Sequence, residues 1–330
     1  MTWRRLRSGD LSWETFRARS GILDAIRAFF RRRGFLEVDP PLAARYPNID
    51  PNIFPVRIAD ASGKTSRFFL HTSPELSMKK LLAAGAGNIF FLGKVFRDRE
   101  GSPLHNPEFT MLEWYRAGGG PEKVMEDVEE LVLELARTVT GRETIRRDGR
   151  EIRLTQPWSR WEVREAFSEL LGAPVGDAKA LRSALAGRGV LPGPDETWDD
   201  LFFRACLDVV EPALAGRRAC FLTGWPSALA AMAKRRDGDP GVAERFEGFL
   251  GGVELVNGYE ELTDPREQEE RLRELAGRIE RKVRVALPLD PEFLDALRGG
   301  LPPCSGAALG VDRLAMLLLE KSDIADVTYR

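Results

Sequence analysis

The stretch VFRDREGSPLHNPEFTMLEWY, residues 95–115, decides how this chain is read. Two apolar strands, 89–96 and 109–115, flank a polar loop carrying arginines, acids, His105 and Asn106. A hairpin of this kind can bring an arginine to a phosphate while its second strand lines a pocket floor. On that strand Glu108, Glu113 and Tyr115 are expected to point together, since side chains alternate between the faces of a strand. Carboxylates gathered on one face are costly unless a cation meets them, which points to a cationic ligand.

Working outward, residues 17–33 read as an amphipathic helix with Ile22, Leu23, Ile26, Phe29 and Phe30 on one face. Gly34 ends it, and 35–38 reads as a strand stopped by Pro40 and Pro41. A second strand covers 66–71. Ser73, Pro74 and Glu75 then supply N-cap, first-turn proline and first-turn acid for a helix to about Gly85. A helix is expected over 121–138 and a hairpin turn at 147–150. Residues 156–216 read as a mostly helical insertion, broken at 188–194. Strand-like text at 249–261, a charged helix at 265–284, a short helix at 291–299 and a Gly-rich strand-to-helix unit complete the chain. Antiparallel strands with peripheral helices make an α+β fold.

Composition narrows the chemistry. The 330 residues are 43% hydrophobic and 30% charged, as in ordinary globular proteins. No apolar run approaches a membrane span, and 1–14 lacks a signal-peptide core, so a cytoplasmic protein is expected. Three scattered cysteines give neither a disulfide framework nor a zinc site. Two histidines make Ser-His-Asp catalysis a poor fit. Residues 1–33 carry nine arginines against three acids, which read either as a solvated helix face or as a docking surface for an acidic partner.

Two further segments carry chemistry. In GGVELVNGYEELTD, 251–264, Glu254 and Glu261 form an acid series with Glu247 upstream. In SGAALGVDRLAML, 305–317, glycines enter a helix whose first turn holds Arg313, allowing close backbone approach to a nucleotide. It is neither a P-loop nor a dinucleotide-binding turn.

In order and wording, these segments resemble the class II aminoacyl-tRNA synthetases: 17–42 resembles motif 1, 95–115 motif 2 and 305–317 motif 3. The phrases HTSPELSMKKLL, HNPEFTMLEWY and GYEELTD are similar to those of lysyl-tRNA synthetases, and more closely to the free-standing elongation factor P–(R)-β-lysine ligases. The resemblance covers the chain apart from about 156–216, and leaves no room for an anticodon-binding domain before residue 17. It implies an antiparallel sheet flanked by helices, ATP and Mg²⁺ as cofactors, lysine or (R)-β-lysine as substrate, and elongation factor P as the acceptor rather than tRNA. It also implies a homodimer formed through motif 1. The alternatives are a minimal lysyl-tRNA synthetase and a non-catalytic synthetase-like binding protein. The phosphate clamp weighs against the latter.

The same resemblance implies roles for residues. Arg97 and Arg313 would be catalytic, with Arg97 on the α-phosphate, and adenine would lie between Phe109 and Arg313. Glu100, Asn106, Glu254, Leu255 and Gly310 would contact ATP, and Glu247 and Glu254 would hold Mg²⁺. Ser73, Pro74, Glu75, Glu113, Tyr115, Asn257, Tyr259, Glu261 and Ala308 would surround the lysine-like substrate. Two positions depart from the synthetase pattern. Arg99 stands where a Glu belongs, so either Glu100 reaches the adenine by a loop shift or that contact is lost. Ala308 stands where lysyl-tRNA synthetases have Gly, which favours the β-lysine ligases.

Overall fold

A computed structural model describes residues 2–50, 52–283 and 286–329. In chain order the helices are α1 (Thr2–Ser8), α2 (Trp13–Arg32), α3 (Glu75–Ala83), α4 (Pro121–Thr140), α5 (Val163–Leu171), α6 (Ala178–Gly187), α7 (Trp198–Ala205), α8 (Glu211–Leu214), α9 (Pro265–Val283), α10 (Pro291–Gly300) and α11 (Val311–Leu318). The strands are β1 (Leu36–Glu37), β2 (Ala43–Ala44), β3 (Val56–Ala59), β4 (Thr65–Leu70), β5 (Ile89–Phe96), β6 (Glu108–Ala117), β7 (Thr144–Arg147), β8 (Arg150–Arg153), β9 (Ser159–Glu162), β10 (Ala219–Pro226), β11 (Arg235–Arg236), β12 (Asp239–Leu250), β13 (Val253–Glu260) and β14 (Cys304–Gly310).

The main sheet runs β1-β5-β6-β14-β13-β12-β10-β9, with β11 beside β12. Its interior is antiparallel, while β1 on β5 and β9 on β10 are parallel pairs at the two edges. Alternation sends Phe90, Leu92, Leu112, Trp114, Val256, Ala307 and Leu309 to the back, where they meet α2, α4 and α11 in one core. Ile89, Phe91, Met111 and Tyr115 face front, into a core shared with residues of α3, α9 and α10. Functional side chains lie on this front face.

Helix boundaries follow local chemistry. α2 begins earlier than expected because Ser12 Oγ accepts the Glu14 N–H at 3.0 Å, a cap that satisfies an otherwise open donor. α3 begins at Glu75, with Pro74 at the cap position; Ser73 Oγ still accepts the Glu75 N–H at 3.0 Å. The 147–150 turn is a tight one, with Asp148 and Gly149 both at positive φ.

Two expected segments need correction. The 249–261 stretch is no single strand: Gly251 and Gly252, both at positive φ, turn the chain between β12 and β13. The helical segment does not start at 156, since β9 completes the main sheet and helices begin at Val163. Its helices pack through Phe167, Leu181 and Phe202 onto Cys220, Leu222 and Trp225 of β10. The charged helix is described to Val283, and its expected last residue, 284, lies outside the described residues. Among the described residues no helix is long and apolar enough to cross a membrane, and all three cysteines are free and buried.

The arginine-rich N-terminal segment is largely paired within the fold. Arg27 and Arg31 bind Glu37, Arg32 binds Glu134 and Arg33 binds Glu130. The docking surface expected there is therefore mostly neutralised. Arg19 is buried: it donates to Thr110 Oγ1 at 2.9 Å and to Asp312 Oδ1 at 2.5 Å, while Asp312 Oδ2 accepts the Thr110 N–H at 3.0 Å. This knot ties the helix of motif 1 to the strand of motif 2 and the helix of motif 3.

Candidate active site

Strand register sets the site. One row across the sheet reads Glu247, Asn257, Ala308, Glu113 and Phe91, each directly opposite the next. Two residues along, Arg245, Tyr259, Gly306, Tyr115 and Ile89 form a second row. A separation of two keeps both rows on one face. Gly306 is required here, because a Cβ would lie 2.5 Å from the Tyr115 ring. Glu108 does not join them. It lies an odd number of residues from Glu113, pairs opposite Phe96, and sits exposed beside Lys94. Glu254 needs another device: the register shifts between Gly248 and Phe249, where Glu254 pairs out of step with the ladder. A bulge of this kind re-aims side chains.

Part of this face opens into a cavity of about 640 Å³, within the range of small-molecule sites. Arg97, Glu100, Asn106, Phe109, Glu247, Glu254, Leu255, Asn257, Ala308, Gly310 and Arg313 all line it, as the motifs imply. Every arginine on its wall has an acidic partner. Arg97 lies 3.7 Å from Glu100, Arg245 2.7 Å from Glu247 and Arg313 3.2 Å from Glu254, while Arg278 pairs with Asp199. The Arg97 guanidinium also lies over the Phe109 ring, 4.9 Å from its centroid. Burial raises the Glu247 carboxyl to about 8, against the pull of Arg245.

The backbone decides what happens at Arg99. Arg99 has φ 63, so the loop makes an extra left-handed step; its guanidinium lies over Phe54, 4.6 Å from the centroid, away from the cavity. Glu100 then takes the inward place, its carboxyl raised by burial against the pull of Arg97. Arg313 is held by the same loop. It donates to Leu104 O at 3.1 Å, to Glu254 O at 2.8 Å and to His105 Nε2 at 2.6 Å. A guanidinium can only donate, so Nε2 accepts and the His105 proton sits on Nδ1, donated to Ser102 Oγ at 2.8 Å. Burial and the Arg313 charge lower the His105 pKa, in keeping with a neutral ring.

The remaining candidates form a closed network beside the cavity rather than part of its wall. Ser73 Oγ and Tyr115 OH donate to the two oxygens of Glu113, at 2.6 and 2.8 Å. Tyr259 OH donates to Glu75 Oε1, and Pro74 sets the corner from which Glu75 projects. At the centre is Lys79, only 2% exposed, its ammonium 2.7 Å from Glu75 and 2.5 Å from Glu261. Burial pulls the Lys79 pKa down, but Glu261 and Glu75 overcome it and hold the ammonium above the ordinary lysine range. Burial raises Glu113 to about 7 and Glu261 to about 8. Two carboxylates thus share one internal cation, hydroxyl groups hold the third, and burial raises Glu113 and Glu261 toward the protonated form.

Sequence reasoning gave no role to Lys79, Arg245, His105, Arg278 or Asp199. Two had a signal: Lys79 lies one helical turn from Glu75, and Arg245 lies two residues from Glu247 on one strand face. Among the described residues no group of three or more His, Cys, Asp or Glu could hold a metal.

The family model for class II tRNA synthetases (D, K and N) matches residues 2–329. A protein of Aquifex aeolicus named elongation factor P–(R)-β-lysine ligase homolog is 36% identical, over 97% of this chain and 98% of that protein. The elongation factor P–(R)-β-lysine ligase of Salmonella arizonae is 36% identical, over 94% of this chain and 92% of that one. The lysine–tRNA ligase of Chloroflexus aurantiacus is 35% identical, over 95% of this chain but 64% of that protein. The chain thus spans a little under two thirds of the length of the lysine–tRNA ligases it matches. With its motif order, its antiparallel sheet and this match, the chain belongs to the class II tRNA synthetase family of the D, K and N type.

Proposed function

We propose that this chain uses ATP to activate (R)-β-lysine or lysine as its adenylate and passes the acyl group to a lysine side chain of elongation factor P. The observation that carries the reading is the junction at Ala308, whose cross-strand neighbours are Asn257 on the cavity wall and Glu113 in the carboxylate network. A substrate lying across it would place its carboxylate beside the arginines and an ammonium beside the acids.

The cavity fits ATP in its lining. Arg97 would take the α-phosphate, Phe109 and Arg313 would flank adenine, and Glu100, Asn106, the Leu255 backbone and Gly310 would complete the contacts. Glu247 and Glu254 suit Mg²⁺ held jointly with phosphate oxygens, as this ion prefers to a cage of protein ligands. When bound, the ion neutralises phosphate charge. The substrate carboxylate is itself the nucleophile: its oxygen bonds to the α-phosphorus and pyrophosphate leaves. No side chain need be deprotonated, which suits a site whose histidine is a neutral donor to Ser102. A neutral lysine amine of the acceptor then attacks the adenylate carbonyl, an amide forms, and AMP and a proton leave. Positioning and charge neutralisation supply the rate.

Elongation factor P as acceptor is supported by the names of the relatives that align along nearly their whole length. A minimal lysyl-tRNA synthetase is the second reading, favoured by the similarity to the lysine–tRNA ligase of Chloroflexus aurantiacus. Exposed Leu36 and Leu42 in the motif 1 region support a homodimer. Lysine- or (R)-β-lysine-dependent exchange between ATP and pyrophosphate tests activation, and no exchange with either amino acid would overturn it. Labelled amino acid offered with elongation factor P or with tRNA then decides the acceptor. Charged tRNA beside an unmodified factor would establish the second reading instead.

A further inference from the structure

Arg278 lies outside all three motifs, yet it lines the same cavity as Arg97 and Arg313. Its place follows from periodicity on α9. Leu272, Leu275 and Ile279 form the stripe buried in the front core, and Arg278 is the polar neighbour of that stripe at the cavity edge. Opposite it stands the first turn of α7. Thr197 caps this helix with a reciprocal box to Asp200, while Trp198 and Phe202 anchor it in the core of the helical segment. Thr197, Asp199, Asp200 and Phe203 therefore reach the cavity as well. The Arg278–Asp199 ion pair spans the gap between the two helices.

Four arginine–acid pairs thus ring the cavity, and they differ in exposure. The side chains of Arg97 and Glu100 are 22% and 21% exposed, those of Arg245 and Glu247 14% and 12%, and those of Arg313 and Glu254 19% and 38%. Arg278 is 40% exposed and Asp199 24%, and they bind each other rather than any residue of the catalytic motifs. A solvated pair of this kind is worth little and is cheap to exchange. A phosphate chain offers the same planar fork charge-assisted, bidentate partners, as a carboxylate does, and carries more negative charge than one carboxylate.

We propose that Arg278 is a nucleotide-positioning residue that leaves Asp199 for the phosphate chain when ATP enters, making the helical segment a competitor of the phosphates for Arg278. The proposal rests on reading the cavity as the ATP site. On it, the two partners act in opposite directions. Arg278→Ala removes a phosphate contact, whereas Asp199→Asn frees Arg278 from its competitor. A merely structural pair would weaken binding from either side.

Calorimetric titration of the full chain with ATP–Mg²⁺, and separately with adenosine, tests this. Arg278→Ala should raise the Kd for ATP roughly tenfold, the scale of one charge-assisted hydrogen bond. Arg278→Lys should recover part of that loss, Asp199→Asn should lower the Kd several-fold, and adenosine binding should change in none of them. Weakened ATP binding in both Arg278→Ala and Asp199→Asn, or a parallel loss for adenosine, overturns the exchange while leaving the ATP site standing. No ATP binding by the unaltered chain overturns both.

Discussion

The two halves of the site hold their charges in opposite ways. On the open side, four arginines pair with four acids around a cavity, with Arg278 the most exposed of the arginines. On the closed side, Glu75, Glu113 and Glu261 are locked by Lys79, Ser73, Tyr115 and Tyr259, with little water to screen them. Charge in a screened place is exchangeable, and charge in a buried place must be balanced to the last unit. Changes on the closed side should therefore register as stability and proton uptake, and changes on the open side as rate and nucleotide affinity.

The largest effect is expected from Lys79→Met. It leaves two buried carboxylates without their cation, a change that typically costs about 3–5 kcal/mol. Denaturant unfolding at pH 8 should show a loss of that size, shrinking at pH 6 as the acids take up protons. A loss below about 1 kcal/mol, the scale of an exposed pair, would mean the network is wet and the contrast between the halves is wrong. Next comes Arg97→Ala on the open side. It should slow lysine-dependent pyrophosphate exchange by about 10²–10³, as loss of one preorganised donor does, with the unfolding curve unchanged. Near-normal exchange would remove Arg97 from the phosphate site.

The front face was legible in the sequence because β5 and β6 carry uninterrupted alternation, which fixes Glu113 and Tyr115 together. The motif wording did the same for the distant partners Glu247, Glu254 and Arg313. Other features left no such trace. Gly251 and Gly252 sit between two apolar runs, so β12 and β13 read as one strand. The inward turn of Glu100 depends on the φ of Arg99, a property of the folded loop. Arg278 and Asp199 are 79 residues apart, so only the packing of α7 beside α9 reveals them as partners. Lys79 could have been paired with Glu75 by helical spacing, but Glu261 is supplied by the end of a strand across the sheet.

A pH effect of intermediate size follows from the closed side. Glu113 is raised to about 7 and Glu261 to about 8, above the ordinary 4.5 of an unfolded glutamate. Between pH 4.5 and those values the native state holds more protons than the unfolded one. These groups therefore favour the fold most at low pH, and their contribution is lost as pH rises through about 7 to 8. An added ammonium reverses the preference by favouring the carboxylates. Binding of lysine or (R)-β-lysine should then release protons below about pH 7, tightening by up to about tenfold per pH unit and levelling off above about pH 8. Calorimetry in buffers of different ionisation enthalpy measures the release directly. Kd values that are flat from pH 6 to 8 would place the substrate ammonium elsewhere.

The smallest effect is expected at the seam between the halves. Ala308 pairs opposite Glu113 on one strand and Asn257 on the other, so its methyl group stands where cavity and network meet. An α-amine and a β-amine differ there by about one bond length. On the proposed reading the methyl would fill space beside the α-carbon, and Gly would open it. Ala308→Gly should therefore improve use of α-lysine relative to (R)-β-lysine by about 1 kcal/mol, the low end for one methyl-sized group in a pocket. The ratio of kcat/KM for the two amino acids in pyrophosphate exchange is the measure, because the roughly 0.5–1 kcal/mol of stability that glycine costs inside a strand affects both amino acids alike. The backbone at 308 sits in a regular antiparallel ladder, so Gly adds little strain and the change isolates volume. An unchanged ratio would take Ala308 out of the specificity account and shift it to Asn257, its direct neighbour on the cavity wall in that row of the sheet.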